Sequence, residues 1–460
     1  VTSQSRLFLF ALLFPAFVCA ESVRGVWVSP DWLLQGDRTE SPERVRQIVR
    51  QTVTAVQRLG GNAIFLETLI RGQLIGPCGS GSQTLPVYPL CRQACWTQAG
   101  KTEDLLSLFI EEGRSRNIDV HAWIHCFYWR SDNRAFRKPW HDGPTIYDDL
   151  LVRYLNTVAG SVRSLPRRRA AAEMARALSR GFSWEAWNRI ANRWGIDSFE
   201  GTFNNFVRFV ESCDGPPPDF LLTNPKGELH FGMEQDRILA VYVNPEFQTI
   251  GPRLVWLVQR IVGTHPGLAG IQLDHIRYPR GPFGGPGEFD AFPKAMRTTL
   301  YSPNRWEVGE VLFDRFVARR EARVTDIVNK IRSTLPAGMK LTAAVHPTYY
   351  EDRDARSGPI VMEAYMGQDW ANWPIDFAVP MIYNATPGRI DELLSRARRA
   401  ASSHGTSRVS VVPGISSRKI ASSYGRGRSW LLFDFEGLSD LIQGIPGSAV
   451  PSMGLKDRMF

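Results

Sequence analysis

The stretch GIQLDHIRYP, residues 270–279, decides how the rest of this 460-residue chain is read. Its first four residues are uncharged and mostly apolar, which suits a strand covered on both faces by helices. The run then closes on a carboxylate, Asp274, followed by His275 and Arg277. A carboxyl group at the end of such a strand is costly to bury without a task. Working outward, the same grammar recurs at residues 24–30 (RGVWVSP), 62–68 (NAIFLET) and 119–126 (DVHAWIHC) before it, and at 340–347 (KLTAAVHP), 376–383 (DFAVPMIY), 408–415 (RVSVVPGI) and 430–436 (WLLFDFE) after it.

Helical periodicity lies between these runs, at residues 42–59, 103–117 and 312–335, the first opening on Ser41 as a cap with Pro42 at the first helical position. Eight strand-like runs alternating with helices predict an α/β fold, a (β/α)8 TIM barrel. The gap between the third and fourth runs exceeds one crossover helix, so it holds a long, mainly helical insertion at about residues 130–246. Within it, the Arg-, Ala- and Trp-rich middle reads as two or three helices and DFLLTNPKGEL (219–229) as a hairpin or extended segment. No internal repeat or low-complexity linker breaks the pattern, and residues 21–450 read as a single barrel domain.

At the N-terminus, Arg6 precedes the apolar run 7–18, and Ala20 supplies a small residue for cleavage, so residues 1–20 are expected to be a signal peptide. The expected location is periplasmic or secreted, with no integral membrane span. Beyond that segment stand Cys78, Cys91, Cys95, Cys126 and Cys213; a local bridge in the Gly/Pro-rich loop that carries the first three is the favoured pairing. Cys91 and Cys95 with His125 and Cys126 lack the regular spacing of a zinc site, so no metal is expected. The formal charge of +9 comes largely from Arg in helical stretches such as 164–180 and 315–332, which reads as solvated helix faces. No nucleic-acid motif accompanies it, and no nucleic-acid partner is expected.

In a barrel of this kind the working residues stand at the C-terminal ends of the strands. That rule selects Asp31, Glu67, Arg71, His125, Tyr128, Asp274, His275, Arg277, Tyr278, His346, Tyr383, Asn384, Asp434 and Glu436, and leaves Trp123 in the core. Two carboxylates facing a cleft with Tyr, His and Arg are the equipment of a glycoside hydrolase, in which one carboxyl protonates the departing oxygen and the other attacks the sugar or activates water. Asp274 is the expected nucleophile or base, with Glu67 or Glu436 as the acid. Arg71, His125, Arg277, Tyr278, His346, Tyr383 and Asn384 are expected to bind substrate. Each has a plainer reading: Asp274 braced by Arg277, Glu67 paired with Arg71, Glu436 in a rim salt bridge. The chemistry requires no cofactor, and the expected partner is a polysaccharide or glycan. A non-catalytic glycan-binding barrel would use the same rim.

The ordered motifs RGVWVSP, LGGNAIFLET, DLLSLFIEEGRSRNIDVHAWIH, DFLLTNPKGEL, YVNPEF, GIQLDHIRYP, KLTAAVHP and QDWANWPIDFAVPMIYN resemble the glycosyl hydrolase-like family 10 proteins, particularly their cyanobacterial type. The resemblance implies a TIM barrel, export, glycosidase activity and cell-wall glycan as a substrate. It places the family's strand-four Asp on Asp274, its strand-two position on Glu67 and its strand-six ending on Pro380 to Tyr383. After strand two the chain departs from it, with LIRGQLIGPCGSGS and a Cys-bearing loop.

Overall fold

The structure is a computed structural model that describes residues 22–33, 41–70, 72–74, 95–98, 101–132, 145–180, 189–190, 192–194, 209, 218–229, 232–234, 238–291, 309–355, 362–383, 385–405, 409–416 and 429–433. Its principal sheet contains nine parallel strands: β1 (Arg24–Val28), β2 (Ala63–Ile70), β3 (Asp119–His125), β4 (Gly270–Asp274), β5 (Lys340–Val345), β6 (Phe377–Pro380), β7 (Ser410–Val411), β8 (Gly414–Ser416) and β9 (Trp430–Phe433). A short antiparallel strand, Gln73–Leu74, pairs with the end of β2. Hydrogen bonding runs in the order β7-β6-β5-β4-β3-β2-β1-β9-β8, so the sheet is mostly parallel and curled. Both ends of that path lie within residues 410–416, and they approach each other: Met381 bridges to Gly414, and the Ile382 N–H donates to the Gly414 carbonyl at 2.7 Å.

The seventh apolar run was expected as one strand and is two, because Pro413 has no N–H to give to the ladder. Val412 N–H still donates to Ala378 O on one side, and Pro413 O accepts from Leu431 N–H on the other. Helices Pro42–Arg58, Leu105–Arg114, Ile250–Thr264, Glu310–Thr334 and Pro387–His404 connect successive strands. The first begins as its sequence predicts: the Arg44 N–H donates to Ser41 Oγ, and Pro42 occupies the first turn. Between β3 and β4 the described residues form helices Asp148–Ser161 and Leu165–Arg180 and an antiparallel sheet of Tyr128–Asp132, Ile238–Tyr242 and Gly232–Glu234. Residues 219–229 form a tight turn at Asn224–Glu228, with Thr223 bridged to Leu229 and to Gly284. Among the described residues no helix is long and apolar enough to cross a membrane.

Side chains alternate along each strand, and this sorts two cores. One set packs under the helices, including Val26, Ile64, Leu66, Val120, Ile124, Ile271 and Leu273. The other, Trp27, Ala63, Phe65, Trp123, Phe377, Val379, Val412 and Leu431, fills the inside of the curled sheet. Glycines make room for its rings: a Cβ at Gly414 would stand 2.8 Å from the Trp27 ring, and one at Gly270 would stand 2.6 Å from His121 Nδ1. His121 belongs to this inner face, and burial drives its imidazole down to about 3, so it is neutral.

Two helix ends outside the sheet are joined by a buried acid–base pair. Asp104 caps helix Leu105–Arg114 by accepting the Ser107 N–H at 2.8 Å, and His265, ending helix Ile250–Thr264, places Nε2 3.0 Å from Asp104 Oδ2. Burial alone would raise the Asp104 carboxyl, but hydrogen bonding and charge from His265 bring it below its ordinary value. Burial alone would lower His265, but Asp104 and the Ile261 carbonyl hold it above. The lowered carboxyl stabilises the fold above pH 3.8 and loses that contribution as pH falls through its folded value. The raised imidazole stabilises fully below pH 6.5 and loses its contribution as pH rises through its folded value. Thermal unfolding followed against pH is therefore expected to show this pair's contribution complete between those two values. His265→Gln should flatten the alkaline side, and an unchanged alkaline fall would remove His265 as its source.

Candidate functional site

Ser29, Glu67, His125 and Asp274 continue the inner-face alternation of β1, β2, β3 and β4 to their C-terminal ends. Four neighbouring strands therefore deliver four polar side chains to one mouth, above the aromatic inner core. Around Glu67 the pairing of β2 with β3 shifts register between Glu67 and Leu69, a bulge of the kind that re-aims side chains beside sites.

Both carboxylates meet the same imidazole. His125 Nε2 lies 3.2 Å from Glu67 Oε1 and 3.8 Å from Asp274 Oδ2, and all three residues are buried. Glu67 Oε2 accepts a hydrogen bond from the Ser29 hydroxyl. Asp274 is oriented by two N–H donors, the Trp123 indole on Oδ2 at 2.9 Å and the His275 backbone on Oδ1 at 2.7 Å. His275 has φ +47°, a left-handed conformation that is uncommon outside glycine. Its ring stacks on Tyr128 with centroids 4.7 Å apart, and its Nδ1 is 2.9 Å from the Tyr242 hydroxyl.

Arg277 is buried beside this group, its guanidinium 5.9 Å from the Tyr242 ring centroid. Tyr383 packs edge-on to Trp27 at 6.1 Å and stacks on Phe433 at 4.5 Å. Its hydroxyl is pushed well above its ordinary value, by burial first and then by the negative charge of Asp274, with Arg277 opposing. His346 stands with Thr348 and Gln368, its Nε2 4.0 Å from Glu363. Burial, then the positive charges of Arg277 and Arg280, drive it down to about 3, so it is neutral.

The structure thus brings together Glu67, His125, Asp274, His275 and Tyr128, with Arg277 and Tyr383 beside them. It does not bring Tyr278 to them. That ring is fully buried under the Arg320 guanidinium, 4.4 Å from its centroid, where it packs the loop after β4. Arg71, Asn384, Asp434 and Glu436, the side chain of Asp31, and the cysteine loop's proposed bridge lie outside the described residues. Cys126 is a buried free thiol. Trp123 combines its expected core position with a hydrogen bond to Asp274. Tyr242 and Ser29 were absent from the candidate residues. Ser29 is signalled by alternation from Trp27, whereas Tyr242 comes from a strand that pairs with Tyr128–Asp132 across more than a hundred residues of chain.

No protein-family model matches the chain, and no curated protein matches its sequence. Among solved structures it is similar to a Paenibacillus cycloisomaltooligosaccharide glucanotransferase, at 10% identity and a TM-score of 0.39 over 86% of this chain. It is also similar to alpha-L-fucosidase isoenzyme 2 from Paenibacillus thiaminolyticus, at 11% identity and a TM-score of 0.42 over 90% of this chain. A hypothetical protein from Ruminiclostridium thermocellum is similar at 12% identity and a TM-score of 0.30 over 69% of this chain. The chain spans 38% of the glucanotransferase, 46% of the fucosidase and 96% of the hypothetical protein.

Proposed function

We propose that this chain is an exported glycoside hydrolase or transglycosylase on a closed (β/α)8 barrel, cleaving O-glycosidic bonds of an envelope or extracellular polysaccharide, with cell-wall glycan as the first substrate to test. The observation that carries this reading is the pairing of Glu67 and Asp274 across His125. Their facing oxygens are separated by no more than the two contacts to Nε2 laid end to end. That bound is compatible with the spacing of carboxyl pairs that cut glycosidic bonds, about 5 to 9.5 Å.

The surroundings divide the roles. Asp274 faces two N–H groups that only donate, which suits an ionised nucleophile or base. Glu67 touches a serine hydroxyl, which donates to a carboxylate or accepts from a carboxylic acid, so Glu67 suits the acid that loses and regains a proton. Tyr383, half-buried where Tyr128 and Tyr242 are buried, is the tyrosine of this group most open to a sugar. The ring of strand pairings supports the barrel reading, and the apolar run at residues 7–18 supports export.

The test is incubation of the purified mature protein with glycan strands, scoring new reducing ends and new chain ends. Product that vanishes in Asp274→Ala supports the enzyme. Saturable binding with no product from any polysaccharide would favour a glycan-binding protein instead. Trp123→Phe keeps the packed ring and deletes one hydrogen bond to Asp274. It is expected to lower kcat by about 10- to 100-fold, from the roughly 1.5–3 kcal/mol of a hydrogen bond to a charged group. An unchanged kcat would mean that the indole N–H does not position Asp274 for the reaction.

A further inference from the structure

The same mouth holds a second kind of site, one with no spacing motif legible in the sequence. One ring nitrogen of His125, one of His275 and a carboxylate oxygen of Asp274 all lie within 4.8 Å of one another. We propose that these three side chains form a site for a single transition-metal dication of the zinc class, with a further coordination position open to water or an inhibitor.

Four features converge on this assignment. Two imidazoles and one carboxylate are the donor set of open, three-ligand zinc sites, whereas magnesium and calcium prefer oxygen alone. The donors need little movement: His125 Nε2 and Asp274 Oδ2 stand 3.8 Å apart, and tetrahedral bonds of about 2.0–2.2 Å put two ligands about 3.4 Å apart. His125 and Asp274 are buried, so the group is unlike the exposed acidic patches that collect cations loosely. The outer contacts are also those of a held ligand set. Tyr242 engages Nδ1 of His275, Trp123 and the His275 N–H fix Asp274, and the left-handed backbone of His275 turns its ring toward His125, with ring centroids 4.9 Å apart.

An ion at this position draws on the electron pairs of Asp274 that attack on a sugar or activation of water would need. Metal loading therefore arrests glycan cleavage, and a chelator restores it. That consequence rests on the glycosidase reading, but the binding itself does not, and it is measured without glycan.

The experiment titrates chelator-stripped mature protein with Zn2+ by calorimetry, with Co2+ absorption reporting coordination geometry and circular dichroism confirming the fold of each variant. One equivalent of Zn2+ should bind, undisturbed by a large excess of Mg2+, and Co2+ should give a tetrahedral or five-coordinate spectrum. Tyr242→Phe should weaken binding about 10- to 100-fold, as outer-shell partners do. His275→Ala should weaken it by at least that much while remaining folded. Absence of saturable binding in the wild type, or undiminished binding in folded His275→Ala, would overturn the proposal. If metal binds but no glycan is cut under any condition, the metal site stands and the glycosidase reading falls.

Discussion

Asp274→Asn and Glu67→Gln are expected to reduce polysaccharide cleavage by roughly 10²–10⁴-fold each, the range attached to a positioned acid or base, and to respond differently to the leaving group. Both changes keep the side-chain shape; Glu67→Gln can still accept from the Ser29 hydroxyl, whereas Asp274→Asn turns its NH2 toward one of two N–H donors, the Trp123 indole or the His275 backbone, and so also loses one hydrogen bond. If Glu67 is the acid, Glu67→Gln should recover most of its activity on an aryl glycoside whose phenol departs without a proton. Asp274→Asn should not recover, because attack on the sugar or activation of water is needed whatever group leaves. The reverse pattern would exchange the two roles. Equal recovery or equal loss in both variants would break the assignment of separate roles to the two carboxyls. His125 adds a check, since its Nε2 lies against both carboxyls. His125→Ala should impair turnover on both types of substrate, because it removes the group that spaces the pair.

The strands were legible because a buried parallel strand writes itself as a short apolar run, and residues 270–274 show this with the carboxylate as punctuation. Asp274, Glu67 and His125 were legible for the same reason: each is a polar residue ending such a run. What stayed hidden depends on facing or on distant pairing. Trp123 reads as core from its mid-strand position and is core, but period-two alternation also puts it on the same face as His125, where its indole N–H reaches Asp274. Tyr278, three residues further from β4 than His275 within the same motif, turns instead beneath Arg320. A motif specifies neighbours in sequence, whereas facing after a strand end is set by the loop's own packing. The proposed metal-ligand group has no spacing signature in the sequence, because its donors come from two strand ends more than a hundred residues apart.

The loop that follows β4 is held by a buried ion pair, and breaking that pair from one side is expected to cost about 3–5 kcal/mol of stability. Arg320 and Glu288 are fully buried, with Nε 2.7 Å from Oε1. Arg320 also donates to the carbonyls of Gly281, Phe283 and Tyr365 and lies over the rings of Tyr278 and Phe316, so one guanidinium fastens residues 278–288 to helix Glu310–Thr334. Burial holds the Glu288 carboxyl above its ordinary value even with Arg320 beside it, so desolvation outweighs the attraction. Glu288→Leu leaves a buried cation with carbonyl partners only. Arg320→Leu leaves a buried acid able to take up a proton, and takes the guanidinium N–H from the Phe283 and Tyr365 carbonyls, while the Gly281 carbonyl keeps the Phe283 N–H. Urea unfolding of both variants and of the double variant is therefore expected to show the double losing less than the sum of the singles, with Arg320→Leu the more damaging single change. Because Arg277 lies on the same loop, Arg320→Leu should also raise KM for any glycan that the site accepts. A strictly additive double variant would mean that the two side chains act independently and that the pair is not what fastens the loop.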